Sequence, residues 1–368
     1  MRTAIVSDLH LGTTSGADVA RRPDVFERLA AALSEADRVV VLGDLLELRE
    51  RPATEVLELA GPCLDALGQA TAGKQVVLVP GNHDHQLVSP ALDRARLNGE
   101  RRLLAAASFD TSASELASRV AARMPDAAVE LAYPGVWLRD DVYATHGHYL
   151  DLHLTVPRVE CVVGSAIRRF AAAARRPTGA DAYEAALAPL YAFAHSVVQG
   201  SPGATITRGN NLSRQVWSSS NPAGRRSFSG RALGSVAIPG AVAALNALGL
   251  GPFRADISAV ELRRAGLRAM AEVMRELGVQ ARHLIFGHTH RAGPLPGDVE
   301  GWWLPGGTRL TNTGSWLYEE VFVGGDGPSN PYWPGRVAWL ADDGAPELRD
   351  VLGDLDPAEL QRTTETSG

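Results

Sequence analysis

An α/β fold is predicted by two features of the sequence. Short runs rich in Val, Ile and Leu alternate with segments of helical apolar spacing, and the runs end in polar clusters. Length and composition agree, since 368 residues with 45% apolar and 21% charged side chains describe a globular chain. Wholesale disorder, collagen and coiled coil are thereby excluded.

The elements follow in order. Residues 2–7 form an apolar run closing on Asp8, as a buried strand does. Val25, Phe26, Leu29 and Leu33 space a helix over residues 24–36. A β-branched run at 38–42 ends in Gly43-Asp44, a helix is expected over 54–70, and a third strand at 75–79 delivers Gly81-Asn82-His83-Asp84. Strand, helix, strand, helix, strand predicts right-handed parallel crossovers. Further strands are expected at 129–131 and 136–145, the latter ending in His146-Gly147-His148. Ala-rich helices are expected over 152–174 and 180–199, a Ser/Gly/Arg loop over 201–231, and helices over 232–250 and 256–277. A strand at 282–286 leads into Gly287-His288-Thr289-His290, and shorter strands are expected at 302–304, 309–312, 336–341 and 347–352. These boundaries divide the chain into a core of residues 1–150 and 256–356, an insert of 151–255 and a polar tail of 357–368.

Composition narrows the setting. Only Cys63 and Cys161 occur, which excludes a disulfide scaffold and a thiolate-built zinc site and fits a reducing compartment. Asp8 interrupts any apolar leader, so a secretory signal is not expected, and a cytoplasmic location is. Residues 232–253 carry no charge, but their Gly, Pro and Ala content makes them too weakly apolar for a transmembrane span. Charge is unevenly spread: residues 151–254 hold eleven Arg against four acids, net +7, in a chain of net −6. A basic segment facing an anionic partner is one reading, and pairing with the acidic body is the other.

Five polar clusters stand at strand ends: Asp8-Leu9-His10, Gly43-Asp44, Gly81-Asn82-His83-Asp84, His146 and Gly287-His288-Thr289-His290. Asp, Asn and His offer oxygen and imidazole donors without thiolate, a set suited to Mn²⁺, Fe²⁺ or Zn²⁺. One four-ligand site leaves donors over, whereas two sites sharing a carboxylate use them all. Alternation along an extended strand end would let Asp8 and His10, and likewise His288 and His290, face one ion. Two cations about 3.5–4 Å apart can clamp a phosphate and activate water.

In this order the clusters resemble the calcineurin-like metallophosphoesterase superfamily, whose pattern is D-x-H, G-D, G-N-H-D, H and G-H-x-H. The resemblance covers residues 1–150 and 283–340. It implies a β-sandwich of mixed sheets flanked by helices, here with an inserted, mainly helical cap. It implies Asp8, His10 and His290 as ligands of one metal, Asp44 as the bridging carboxylate, and Asn82, His146 and His288 as ligands of the second. Mn²⁺ is the first choice for both, with Fe²⁺ or Zn²⁺ as alternatives. It implies His83 as the uncoordinated histidine that stabilises the transition state or protonates the leaving oxygen, and Asp84 as the residue that orients it. His148 competes with His146 and is otherwise expected to line the site. His85 is expected at the rim or behind the ligands, His153 on a helix surface, His195 in a structural role, and Glu47 at a helix start.

Ser7-Asp8-Leu9-His10-Leu11, Gly43 to Glu47, Gly287 to Arg291 and Asn312-Thr313-Gly314-Ser315-Trp316 are similar to UDP-2,3-diacylglucosamine pyrophosphohydrolases, which carry a helical lid between the fourth and fifth clusters. Two departures point to a related phosphoester instead: His83 stands where those enzymes carry Arg, and the insert is longer. Arg168, Arg169 and Arg291 are candidate phosphate contacts, because Arg grips phosphate bidentately.

The expected activity is a dimetal phosphohydrolase acting on a small, nucleotide-linked or lipid-linked phosphoester or pyrophosphate, with peripheral membrane contact through the insert. The alternatives are a nuclease of the same superfamily, in which Trp217 and Phe228 stack bases, and a scaffold that has lost its metals. The intact donor set speaks against the scaffold.

Overall fold

A computed structural model of the chain describes residues 1–99, 103–154, 179–200, 259–298, 301–324 and 327–361. Its strands are β1 (Thr3–Val6), β2 (Arg38–Val41), β3 (Gln75–Leu78), β4 (Ala107–Phe109), β5 (Ala128–Tyr133), β6 (Gly135–Arg139), β7 (Val142–Thr145), β8 (His283–Phe286), β9 (Arg309–Asn312), β10 (Arg336–Leu340) and β11 (Glu347–Asp350). They build a seven-stranded sheet, β11-β10-β1-β2-β3-β5-β4, and a four-stranded sheet, β6-β7-β8-β9. β1, β2, β3 and β5 run parallel, as the helical connections require, while β10 and β4 add antiparallel flanks. In the smaller sheet β7, β8 and β9 are parallel.

Period-two alternation sorts the side chains into layers. Ile5, Val40 and Val77 pack between the sheets against Val142, Ala144 and Ile285. Their neighbours Ala4, Val6, Val39, Val41, Val76 and Leu78 face the other way. There they meet α1 (Pro23–Ser34), α2 (Ala53–Ala70) and α4 (Glu115–Ala121). Pro23 opens α1 with a preset φ, and Val25, Phe26, Leu29 and Leu33 form its buried stripe. Each contributes roughly 1.5–3 kcal/mol of burial. The outer face of the smaller sheet, with Tyr143, Leu284, Phe286 and Leu310, is covered by α3 (Ser89–Leu97), α5 (Ala180–Gly200) and α6 (Ala259–Leu277). Short helices α7 (Glu320–Val323) and α8 (Pro357–Leu360) close the carboxyl end, α8 through a capping box of Asp356 and Glu359.

Several expectations change. Residues 136–145 form not one strand but the hairpin β6–β7, turning at Asp140-Asp141. Residues 302–304 contribute only a bridge, Trp303 to Arg309. α3, α4 and β4 had no counterpart in the sequence reading. The expected helix over 232–250, the loop over 201–231, most of the expected helix over 152–174, and Arg168 and Arg169 lie outside the described residues. Within the insert, α5 shares one apolar cluster with the core through Ala180, Tyr183, Ala186, Leu187 and Tyr191. That stretch carries Asp181 and Glu184 and no Arg, so its packing is hydrophobic rather than basic. No helix among the described residues is long and apolar enough to cross a membrane.

Candidate metal centre

The carboxyl ends of β1, β2, β3, β7 and β8 bring all five polar clusters to one place. Two outer groups of donors result, one of Asp8, His10 and His290 and one of Asp44, His146 and His288, and a third, of His10, Asp44 and His83, overlaps both. In the first, His10 Nε2 lies 3.2 Å from His290 Nε2 and 3.9 Å from Asp8 Oδ1, and His290 Nε2 lies 3.3 Å from Asp8 Oδ1. In the second, Asn82 Oδ1 lies 3.2 Å from His146 Nε2 and 3.1 Å from His288 Nδ1. Asp44 Oδ2 stands between them, 3.6 Å from His10 Nε2 and 3.1 Å from His146 Nε2.

Backbone conformation marks the same residues. Asp8, His10, Asp44, His288 and His290 are the non-glycine residues with positive φ among those described, at 55°, 46°, 51°, 66° and 58°. Left-handed backbone is unfavourable for such side chains and gathers at functional sites. Asp8 and His10 therefore converge through two left-handed turns rather than through strand alternation, which corrects the sequence expectation. Glycine makes room: a Cβ on Gly81 would strike Asp44, and one on Gly287 would strike Asp8 and Ser7.

Three imidazoles are oriented from behind. His146 Nδ1 donates to the Leu42 carbonyl at 2.9 Å, His10 Nδ1 to Glu47 Oε2 at 2.9 Å, and His288 Nε2 to Asp151 Oδ1 at 3.0 Å. Each ring's other nitrogen is thereby left for a proton or a cation at the centre, as metal-ligating histidines are held. Ser7 donates to Asp8, and the His288 N–H donates to Asp8 Oδ1 and Oδ2 at 3.1 and 3.0 Å. Asn312 Nδ2 donates to the Gly287 carbonyl at 2.9 Å and to Thr289 Oγ1 at 3.0 Å, fixing the loop that carries His288 and His290.

The pocket draws positive charge. Burial would raise the Asp8 and Asp44 carboxyls, but the surrounding imidazoles outweigh it and hold both below their ordinary range. Burial would likewise depress His10, yet Glu47, Asp44 and Asp8 push it up to about 10. His146, pushed down by burial, is carried up to about 9 by Asp44 and Asp8. Bare imidazole nitrogens and carboxylate oxygens this close together fit divalent cations in place of those protons.

Two assignments change. Asp84 does not touch His83. It accepts from the backbone N–H groups of Gly81 at 2.7 Å and Leu45 at 2.8 Å, tying two ligand loops together. Burial and the Asp44 charge push its carboxyl up to about 6. The partner of His83 is Glu47, whose Oε1 and Oε2 lie 2.8 and 2.7 Å from His83 Nδ1. Glu47 begins no helix; buried at 2% exposure, it joins His10 to His83. The chain between Asp44 and Glu47 folds back on the Asp8 loop through the Leu11–Leu46 bridge, which delivers this carboxylate.

The remaining histidines sort by burial. His85 is buried and pairs with Glu184 Oε2 at 2.9 Å, tying α5 to the metal-loop side. Glu184 also accepts from Tyr149 at 2.8 Å and from Tyr133 at 2.5 Å. His148 does not line an open site: 1% exposed, it lies behind His146 and shares a 3.0 Å hydrogen bond with Tyr133. His153, expected on a helix surface, bonds the Tyr183 hydroxyl at 2.7 Å. His195 sits partly buried in α5 beside the Leu48 backbone. The fork of Arg291 is taken by Asp298 at 2.5 Å, and its guanidinium lies over Trp302, so this arginine secures its own loop.

Asp151, Glu47 and Glu184 are the residues that sequence reasoning missed as partners of the site. Replacing Asp151 with Asn is expected to weaken binding at the His288 side about 10–100-fold. A competition titration with a fluorescent chelator would read this as one of two metal equivalents shifting while the other holds.

Residues 1–172 match the family model described as calcineurin-like phosphoesterase. No curated protein matches the chain. The matched region holds Asp8, His10, Asp44, Asn82, His83 and His146, and β8 brings His288 and His290 to the same centre. By this match, and by motifs that converge on one pocket, residues 1–172 belong to the calcineurin-like phosphoesterase superfamily.

Proposed function

We propose that the chain hydrolyses a phosphoester or a pyrophosphate at a dinuclear metal centre. The observation that carries this reading is the left-handed backbone at Asp8, His10, Asp44, His288 and His290, strain that among the described non-glycine residues falls on the donors of one pocket. Asp8, His10 and His290 would hold one ion, Asn82, His146 and His288 the other, and Asp44 both. When bound, such ions polarise phosphoryl oxygens and lower the pKa of water.

The remaining chemistry belongs to the protein. Asp44 also accepts the His83 N–H at 2.8 Å, so the carboxylate shared by the ions fixes the loop that carries His83. Glu47 holds a proton on His83 Nδ1, which directs Nε2 to the reacting group. When the ring also carries a proton on Nε2, His83 can donate that proton to the departing oxygen or hydrogen-bond the charge building on the phosphoryl group, while Glu47 balances the imidazolium. His10 and His83 stand edge to face with centroids 4.7 Å apart, so Glu47 sets a ligand and a proton donor together.

The test is a metal-by-substrate screen with Mn²⁺, Fe²⁺ and Zn²⁺ against nitrophenyl mono- and diesters, nucleotide sugars, cyclic nucleotides, phospholipids and DNA. Metal-dependent turnover of a small phosphoester or a pyrophosphate is expected. Activity confined to DNA, with salt-sensitive binding, would favour the nuclease instead.

A further inference from the structure

Beside the metal pocket two side chains carry buried polar atoms that have no hydrogen-bond partner among the described residues. Arg49 stands two residues beyond Glu47, and its backbone N–H donates to Glu47 Oε1 at 3.0 Å. Its Nε and Nη2 are buried, and neither has a hydrogen-bond partner among the described residues. The guanidinium carbon lies 5.1 Å from the ring centroid of Tyr191, which reaches over from α5. Tyr191 is 2% exposed, and its hydroxyl also has no partner. The Tyr191 ring lies 5.7 Å from His148, and His148 lies 5.6 Å from His146 of the metal centre.

The unpaired atoms specify a ligand. A guanidinium only donates, so the missing partner is an acceptor, and a buried cation selects a negatively charged one. Nε–H and Nη2–H form one edge of the guanidinium with parallel bonds, the geometry that grips two oxygens of one anion. The chain uses that edge elsewhere. Arg139 spans both carboxylate oxygens of Asp141 at 2.5 and 3.1 Å, and Arg21 grips Asp18 the same way. At Arg49 the same edge meets no carboxylate among the described residues. The neighbouring acid, Glu47, is engaged by His10 and His83.

We infer that Arg49 and Tyr191 form an anion subsite that binds phosphate oxygens of the substrate beyond those the metals take. The inference rests on the phosphoesterase reading and narrows it. A phosphomonoester offers a third free oxygen, and a diphosphate offers a second phosphate; a diester offers neither. Because Tyr191 comes from α5, docking of that helix completes the subsite.

Calorimetric titration with inorganic phosphate and with methylenediphosphonate tests it, on the metal-loaded chain and again after chelation, with metal counted by emission spectroscopy. Loss of one charge-assisted pair should weaken binding about 10–100-fold in Arg49→Gln, and loss of one neutral donor less in Tyr191→Phe. Both variants should keep the parental metal content and melting temperature. Weakening toward both probes assigns the subsite to the phosphoryl group itself; weakening toward the diphosphonate alone assigns it to a second phosphate. Arg49→Lys, which keeps the charge and loses the fork, decides the case if Arg49→Gln does not fold. Parental affinity for both probes in every folded variant would overturn the subsite. A chain that takes up no metal would instead sink the phosphoesterase reading, and the chelated arm would still judge Arg49.

Discussion

Asp44→Asn is expected to lower phosphoester turnover at least about 10³-fold, the scale on which a preorganised charge at a reacting centre acts. Asn keeps the size of the side chain and one oxygen, but not the charge. That charge has several dependents. Asp44 Oδ2 lies within 3.6 Å of His10 and 3.1 Å of His146, and Oδ1 accepts the His83 N–H at 2.8 Å. Its neutral replacement weakens both cation positions at once, so metal content should fall with turnover. Asn fills the same volume against Gly81, which packs directly on the Asp44 carboxylate, so the fold should persist. Steady-state kinetics together with metal counting checks this. Parental turnover at full metal loading would contradict the bridging role.

Glu47→Ala should cost about 10²-fold in turnover, comparable to losing an oriented partner behind a metal ligand. The carboxylate is engaged twice, by His10 Nδ1 and by His83 Nδ1, and both are released together. Burial would raise the Glu47 carboxyl, but His83 and His10 outweigh that and hold it below its ordinary range, so it stays ionised in the working enzyme. Asp84→Asn is the matched comparison. If Asp84 oriented His83, the two variants would behave alike. The geometry predicts instead that Asp84→Asn keeps most turnover and loses stability, because Asp84 serves backbone donors of the Gly81 and Leu45 loops. Turnover, metal affinity and the denaturation midpoint, measured on both variants, separate the two assignments.

The ligand set was legible because its spacing is local. Each donor sits within a few residues of the end of an apolar run, and Asp44, Asn82, His146 and His288 each adjoin a glycine, so the run predicts where the turn will be. What orients those donors was not legible. Glu47 meets His83 from 36 positions away, Asp151 meets His288 from 137, and Glu184 meets His85 from 99. No pattern within a window reports such pairings. The same limit explains the missed elements. α3 buries only Ala91 and Leu92, too little for a periodic stripe, and β4 is an edge strand of Ala-Ser-Phe without a β-branched residue. Asp8 and His10 do converge, but through left-handed turns instead of strand alternation, and such turns leave no hydrophobic signature.

Anomalous diffraction at the manganese edge, from crystals grown with Mn²⁺, tests the dinuclear centre most directly. Two peaks are predicted, one enclosed by Asp8, His10 and His290 and the other by Asn82, His146 and His288, with Asp44 touching both. A lone peak that Asp44 does not touch, or manganese bound anywhere else while this pocket stays empty, would contradict the account.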